Sequence, residues 1–305
     1  MNKKFTLVLS ILVALLALTW FILSPSFEPV IIFLGSLIGF ASSKNDKEIE
    51  LESNNINIPV KTWDMLCQPI IDIKTGKICS IELSPDFKCD ENSFSYSKLM
   101  SSVSEFNQVL PIVESFITFA IKYAQYWHKN FDNDLIITLK LSNSEILNTG
   151  YFELLLNILN KYSFPKNLIC LELSEEDNFC KETPGILKEL KKLGIQFALG
   201  NYGTGASCYS ALRNLNVQKV IISSTFVGKM ESDDVANAMV ASIIQVAKTM
   251  GLSTRAQGVL NKEQMKLLKE HGCDELQGSV ISPFLESNEV LKFLVNYNVM
   301  TNTKA

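Results

Sequence analysis

The 305-residue sequence predicts an α/β fold, a TIM-like β/α barrel with an opening antiparallel hairpin, preceded by one or two transmembrane helices. Three observations point there. From residue 67 onward, short apolar or alternating runs take turns with longer stretches of helical periodicity. The first two runs are joined by KTGK, Lys74 to Lys77, a hairpin signal, whereas all later connections are long enough for helical crossovers. The N-terminus carries the uncharged run FTLVLSILVALLALTWFIL, Phe5 to Leu23, close to the roughly 20 apolar residues that a membrane-spanning helix needs.

A second apolar run, Pro29 to Ser43, follows a loop too short for anything but a hairpin; it is short for a span, so a re-entrant segment stays open beside two full spans. Residues 1–43 are thus expected to form a transmembrane hairpin, with spans at 5–23 and 29–43. Lys3 and Lys4 precede the first run, SPSFEP between the runs has no Lys or Arg, and Lys44 and Lys47 follow the second. By the positive-inside rule both ends face the cytoplasm, which expects an inner-membrane protein with its soluble part on the cytoplasmic side. A cleaved secretory signal is the competing reading, but the apolar run is longer than a usual signal core and no small-x-small site follows Leu23.

Residues 44–59 turn polar and read as a linker or juxtamembrane helix. Residues 60–290 read as the barrel, and 291–305 as the end of a C-terminal helix and a tail. Strands are expected at 67–73, 78–83, 135–142, 168–174, 195–200, 217–223, 253–259 and 274–279. Helices are expected around 111–129, 150–162, 183–193, 206–213, 232–250, 261–271 and 286–296. A formal charge of -4 gives no electrostatic case for nucleic-acid binding. Seven cysteines without a C-x-x-C pair, and only His128 and His271, give no zinc spacing and read as reduced intracellular thiols.

In such a barrel, chemistry sits at the mouth formed by the C-terminal ends of the strands. Taking Glu82 and Glu172 as inward, period-2 alternation places Lys140, Gly200, Ile221, Ser223, Arg255, Gln257 and Gln277 inward too. Two acids and two bases then share one cavity. His128 reads as a capping or surface residue, His271 before Gly272 as helix punctuation, Cys208 as a small core residue and the run 235–250 as the barrel-facing side of a crossover helix.

The order and wording of the runs resemble the EAL family of cyclic diguanylate phosphodiesterases. QPIIDIKTGKICSIEL looks like the family's opening hairpin, LKLSNSEIL its asparagine strand and LELSEE its glutamate strand. LKKLGIQFALGNYGTGASCYSALRNL looks like its double-aspartate turn, AQGV its AEGV and ELQGSVIS its closing glutamine strand. The resemblance implies a barrel with one antiparallel strand whose active members open a cyclic dinucleotide with Mg²⁺ or Mn²⁺. Two ions held by converging oxygen ligands polarise the phosphodiester and generate a hydroxide.

Carried onto this chain, the resemblance retains the motif glutamate at Glu82, the glutamate-strand ligand at Glu172, a loop glutamate at Glu175 and the glutamine near the attacking water at Gln277. Elsewhere the pattern departs. The asparagine ligand falls on Lys140, the paired aspartates on Gly200 and Asn201, the catalytic lysine on Ile221 with its partner on Ser223, and the late glutamate on Gln257. The phosphate-gripping arginine falls on Asp86, which would repel a phosphate. The expectation is a degenerate member with no metal centre, Glu82 and Glu172 being remnant ligands and no cofactor needed; Mg²⁺ or Mn²⁺ would matter only if it were active. Lys140 and Arg255 are expected to form an internal ion-pair cluster with Glu82 and Glu172, because buried carboxylates without metal need neutralising. The glycines of GNYGTG are expected to persist because the loop still turns from strand to helix.

The function expected from this resemblance is a catalytically inactive, membrane-anchored regulatory or protein-interaction module in cyclic di-GMP signalling. The alternatives are a receptor that binds cyclic di-GMP without hydrolysis, and a weak phosphodiesterase. The expected partners are an unidentified protein, cyclic di-GMP in the receptor alternative, the membrane through the N-terminal helices, and a second copy of the barrel, since family barrels often pair.

Overall fold

The hairpin signal and the crossover signals both find their place in one closed barrel. The computed structural model describes residues 49–51, 58–60, 62–89, 92–95, 109–132, 134–141, 145, 148–174, 183–204 and 208–302. The runs read as membrane spans, 5–23 and 29–43, lie outside the described residues. Among the described residues, no helix is long and apolar enough to cross a membrane.

Strand β1 (Ile49–Leu51) pairs antiparallel with β2 (Ile58–Val60), so a small ribbon stands within the stretch read as a polar linker or helix. β3 (Thr62–Asp72) and β4 (Ile78–Cys89) form the opening hairpin, and β4 also pairs with β5 (Asn92–Ser95). The parallel strands follow as β6 (Ile136–Leu141), β7 (Ile169–Ser174), β8 (Gln196–Tyr202), β9 (Lys219–Ile222), β10 (Ser253–Gln257) and β11 (Glu275–Gln277). Around the barrel the order is β3, β11, β10, β9, β8, β7, β6, β4 and back to β3. β3 is antiparallel to both neighbours and every other barrel pair is parallel. β12 (Leu285–Glu286) adds a short antiparallel pairing on β3.

The crossover helices are α1 (Leu110–Asn130), α2 (Thr149–Lys161), α3 (Thr183–Lys192), α4 (Cys208–Leu215), the single turn α5 (Ser224–Val227), α6 (Asp234–Thr249) and α7 (Lys262–His271). α8 (Val290–Asn302) closes the chain. Their starts follow local chemistry. Asn148 caps α2 by accepting from Gly150 N–H at 2.9 Å, Asp233 caps α6 through Val235 N–H, and Asn261 caps α7 through Glu263 and Gln264 N–H. Gly272 ends α7 in the left-handed region with φ 77°, the punctuation expected of HG. The outward faces of the strands and the inner faces of the helices build the main core: α1 contributes Phe116, Ala120, Ala124 and Trp127, and the strands contribute Ile137, Leu139, Leu171, Leu173, Leu199 and Val220.

Several expected boundaries move for tertiary reasons. β3 and β4 run beyond the expected 67–73 and 78–83 because they pair with each other over ten register positions, which neither sequence announces alone. α5 is a single turn capped by Ser223. α8 buries Val290 and Leu294, and the C-terminal helix expected around 286–296 starts later and runs on to Asn302. The run 235–250 splits. Ala236, Val240, Ile243, Ile244 and Ala247 face the barrel as expected, while Val235, Met239, Val246 and Met250 stay exposed.

Candidate functional site

The mouth of the barrel is organised by one ammonium between two carboxylates. β6 pairs in parallel with β4 on one side and β7 on the other, with Lys140 in register with Glu172. Lys140 Nζ therefore lies 3.0 Å from Glu82 Oε1 and 3.9 Å from Glu172 Oε1. Both carboxylates are buried, at 1% and 6% exposure, whereas the lysine side chain is 43% exposed. Lys140 thus sits at the rim and reaches inward, where the sequence expected an internal group. Gln277 completes the contact by donating from Nε2 to Glu82 Oε2 at 2.8 Å and to Gln68 Oε1 at 3.0 Å. Glu172 Oε2 and Gln277 Oε1 are buried without a hydrogen-bond partner among the described residues.

Burial dominates the proton affinity of Glu172 and pushes its carboxyl up to about 7, against the opposing pull of the Lys140 ammonium. For Lys140 the two carboxylates outweigh desolvation and hold the ammonium well above its usual range. The amine is a fixed cation, and Glu172 releases its proton late.

Arg255 departs from expectation. It points inward and is fully buried, but its Nε donates to Glu275 Oε2 at 3.0 Å, with Glu275 Oε1 taken by Lys219 Nζ. The cause is register: Arg255 stands opposite Glu275 where β10 meets β11. Arg255 reaches Glu172 only through the longer-range field of its charge. The interior therefore holds a second ion cluster, in which two buried cations hold the Glu275 carboxyl below its ordinary range against the opposing effect of burial. Lys219 and Glu275 were missed, yet both follow by stepping back two residues from the inward positions Ile221 and Gln277. Ser80 and Thr138, hydrogen-bonded at 3.1 Å inside the barrel, belong to the same inward rows.

The remaining expected positions fall in varied surroundings. Ile221 is fully buried and packs with Cys170, Ala198 and the partly buried Ile136 in an apolar layer. Burial raises the Cys170 thiol, so it is a packing group here. Ser223 lies past the end of β9 and accepts from Thr225 N–H at 3.3 Å as the cap of α5. Gln257 stands in register with Gln277 at the end of β10, half-buried. Asp86 lies on the same face of β4 as Glu82, four residues further along the hairpin. Glu175 and the side chain of Cys208 lie outside the described residues.

The turn after β8 corrects the expected reason for its first glycine. The β8 and β9 register shifts between Leu199 and Tyr202, a bulge that contains Gly200 and Asn201. Asn201 takes the positive φ of 54°, which asparagine tolerates, and Gly203 takes φ 100°. Gly200 has no left-handed backbone. Its constraint is contact: a Cβ there would stand 2.6 Å from Glu172 Oε1 and 3.1 Å from its Cγ, so the glutamate side chain would have to shift.

A two-ion centre does not fit these residues. Such a centre needs several oxygen ligands converging on each ion, and here Glu82 and Glu172 converge on an ammonium instead. Among the described residues, no three His, Cys, Asp or Glu side chains are placed to hold an ion. The histidines take no part. His271 Nε2 meets Asn237 Oδ1 at 2.8 Å, and His128, half-buried rather than at the surface, meets Leu135 O at 2.7 Å and stacks on Phe164.

Comparison with known proteins matches the EAL domain profile over residues 57–283. Among curated relatives, the signaling protein YkoW of Bacillus subtilis is 28% identical, covering 61% of this chain and 24% of its own length. The cyclic di-GMP phosphodiesterase PdeL of Escherichia coli is 28% identical over 61% of this chain and 54% of its own. The chain thus spans from about a quarter to about half the length of these relatives. Among solved structures, the PaMucR phosphodiesterase in its c-di-GMP complex superposes with TM-score 0.69 at 20% identity, over 75% of this chain and 94% of that one. The FimX EAL domain from Pseudomonas aeruginosa bound to c-di-GMP gives TM-score 0.64 at 18% identity, over 73% and 90%.

Proposed function

We propose that this chain, which belongs to the EAL domain family, is a catalytically inactive barrel that serves cyclic di-GMP signalling as a membrane-anchored regulatory or protein-interaction module. The observation that carries this reading is the Lys140 ammonium lying between Glu82 and Glu172, where the family resemblance puts divalent ions. The positions expected to supply the other ligands and the catalytic lysine are Gly200, Asn201, Gln257 and Ile221. With both mouth carboxylates turned to an ammonium in place of a Lewis acid, nothing there would generate a hydroxide. Membrane anchoring rests on the two apolar runs, 5–23 and 29–43, and their lysine flanks.

A second reading is a receptor that binds cyclic di-GMP without cleaving it. The 43% exposure of Lys140 at the rim favours it, since an accessible ammonium is a phosphate partner. Asp86 opposes it by placing an acid where the family grips a phosphate.

The test is calorimetric titration of the purified full chain with cyclic di-GMP, with and without Mg²⁺ or Mn²⁺, and chromatography of the same samples for linear dinucleotide. No saturable binding and no product is the expected result. Micromolar or tighter binding without product converts the docking module into a receptor, and metal-dependent product overturns the inactive assignment.

A further inference from the structure

We infer that Lys140 and Gly200 form one coupled device: the ammonium is a resident cation that excludes divalent ions from the mouth, and Gly200 is the space that lets Glu172 reach it. The inference deepens, and rests on, the metal-free reading of the same site. The atoms are specific. Glu172 Oε1 is both the oxygen 3.9 Å from Lys140 Nζ and the oxygen that would lie 2.6 Å from a Cβ at position 200. Because the Glu172 Cγ and carboxyl carbon would also stand at 3.1 and 3.2 Å, bending the terminal oxygen aside does not clear the space. The side chain must shift as a whole, and that shift lengthens a contact with the ammonium that already stands at 3.9 Å. Its other oxygen, Oε2, has no hydrogen-bond partner among the described residues to hold the shifted form.

An acid installed at position 200 therefore meets two penalties while Lys140 remains. It displaces Glu172, and it adds a third carboxylate around a single ammonium. With Lys140 replaced by asparagine, the ammonium is gone, and Glu82, Glu172 and the new acid supply three carboxylates to a hard divalent cation. The same substitution at position 200 is then harmful in one background and useful in the other. No single reversal re-creates an ion site, which explains how the collapsed mouth is held in place.

Thermal unfolding of the full chain, with and without MnCl₂, tests this in the wild type, Lys140→Asn, Gly200→Asp and the double variant. Gly200→Asp alone is expected to lower the melting temperature by several degrees with no recovery in Mn²⁺. The double variant is expected to lose less than the sum of the single losses, and it alone should rise with Mn²⁺. Additive losses with no Mn²⁺ response in the double variant overturn the device, and so does a Mn²⁺-dependent rise in the wild type. If Gly200→Asp does not fold, Gly200→Ala keeps the clash without the charge; its loss must shrink in a Lys140→Met background, and an unchanged loss overturns the steric half. Dinucleotide cleavage by the wild type would end the inactive reading by a separate readout.

Discussion

The barrel interior holds two ion clusters of opposite bias. At the mouth, two carboxylates, Glu82 and Glu172, share one ammonium that is 43% exposed. Deeper in, two cations, Lys219 and Arg255, share one carboxylate, Glu275, with side-chain exposures of 7%, 0% and 14%. With Glu172 ionised, the mouth has an excess anion where the deep cluster has an excess cation, so each offsets the other's net charge through a low-dielectric interior. The field is visible at Glu172, whose ionisation is favoured by Arg255 and Lys219 as well as by Lys140, although burial together with the Glu82 carboxylate outweighs all three. The deep cluster is a sealed structural unit. The mouth is an open ion pair whose buried carboxylates are made tolerable by their neighbours.

The sharpest way to break that comparison is to remove the shared partner of the deep cluster. Glu275→Gln leaves Lys219 and Arg255 buried without a counter-charge, and stability should fall by about 3–5 kcal/mol. Among the described residues Arg255 has no second anchor to fall back on, since Nη1 and Nη2 already lack hydrogen-bond partners there. Chemical denaturation read by tryptophan fluorescence measures the loss; a change below about 1 kcal/mol would mean the deep pair is as weakly coupled as a surface one.

Acid titration separates the two clusters by sign. Glu172 has its proton affinity raised from 4.5 to about 7, so the fold binds that proton more tightly than the unfolded chain does. Its contribution is present below pH 4.5 and is lost as pH rises from there to about 7. Glu275 is lowered, so its contribution is present above the ordinary 4.5 and is lost as pH falls through its depressed value. Stability measured across this range should therefore fall towards neutrality in the wild type, at up to about 1.4 kcal/mol per pH unit for one proton. Glu172→Gln should flatten that fall and leave the acid limb in place. An unchanged slope between pH 5 and 7 would assign the mouth titration to another group.

Much of this was legible because it depends on local pattern. The crossover helices from α1 to α7, the α5 turn apart, follow periodicity and caps, and the inward rows follow from alternation once Glu82 and Glu172 are set. Lys140 between the carboxylates was legible for the same reason. The partner of Arg255 was not, since it depends on which residue β11 presents at that register, and two inward cations offer no local sign of which carboxylate each will take. Gly200 misled for a related reason. A glycine before a strand-to-helix turn suggests a backbone role, whereas its constraint comes from a carboxylate on the neighbouring strand, 28 residues away in sequence. The β1 and β2 ribbon went unread because three-residue strands carry too few alternations to stand out among charges.

The smallest expected effect concerns salt. Lys140 meets water on one side, so its attraction to Glu82 is partly screened, while the Arg255 to Glu275 contact is not. A double-mutant cycle on Lys140→Met and Glu82→Gln should give a coupling of about 1 kcal/mol at low salt. That coupling should shrink by a few tenths when NaCl is raised towards 1 M, where the screening length is about 3 Å. The matching cycle on Arg255→Met and Glu275→Gln should stay constant over the same range, provided both variants fold. Equal salt sensitivity would place both clusters in contact with solvent and remove the distinction between a sealed support and an open mouth. A coupling at the mouth that ignores salt would mean that Lys140 is drawn inward in solution, which would tighten its hold on the space an ion would need.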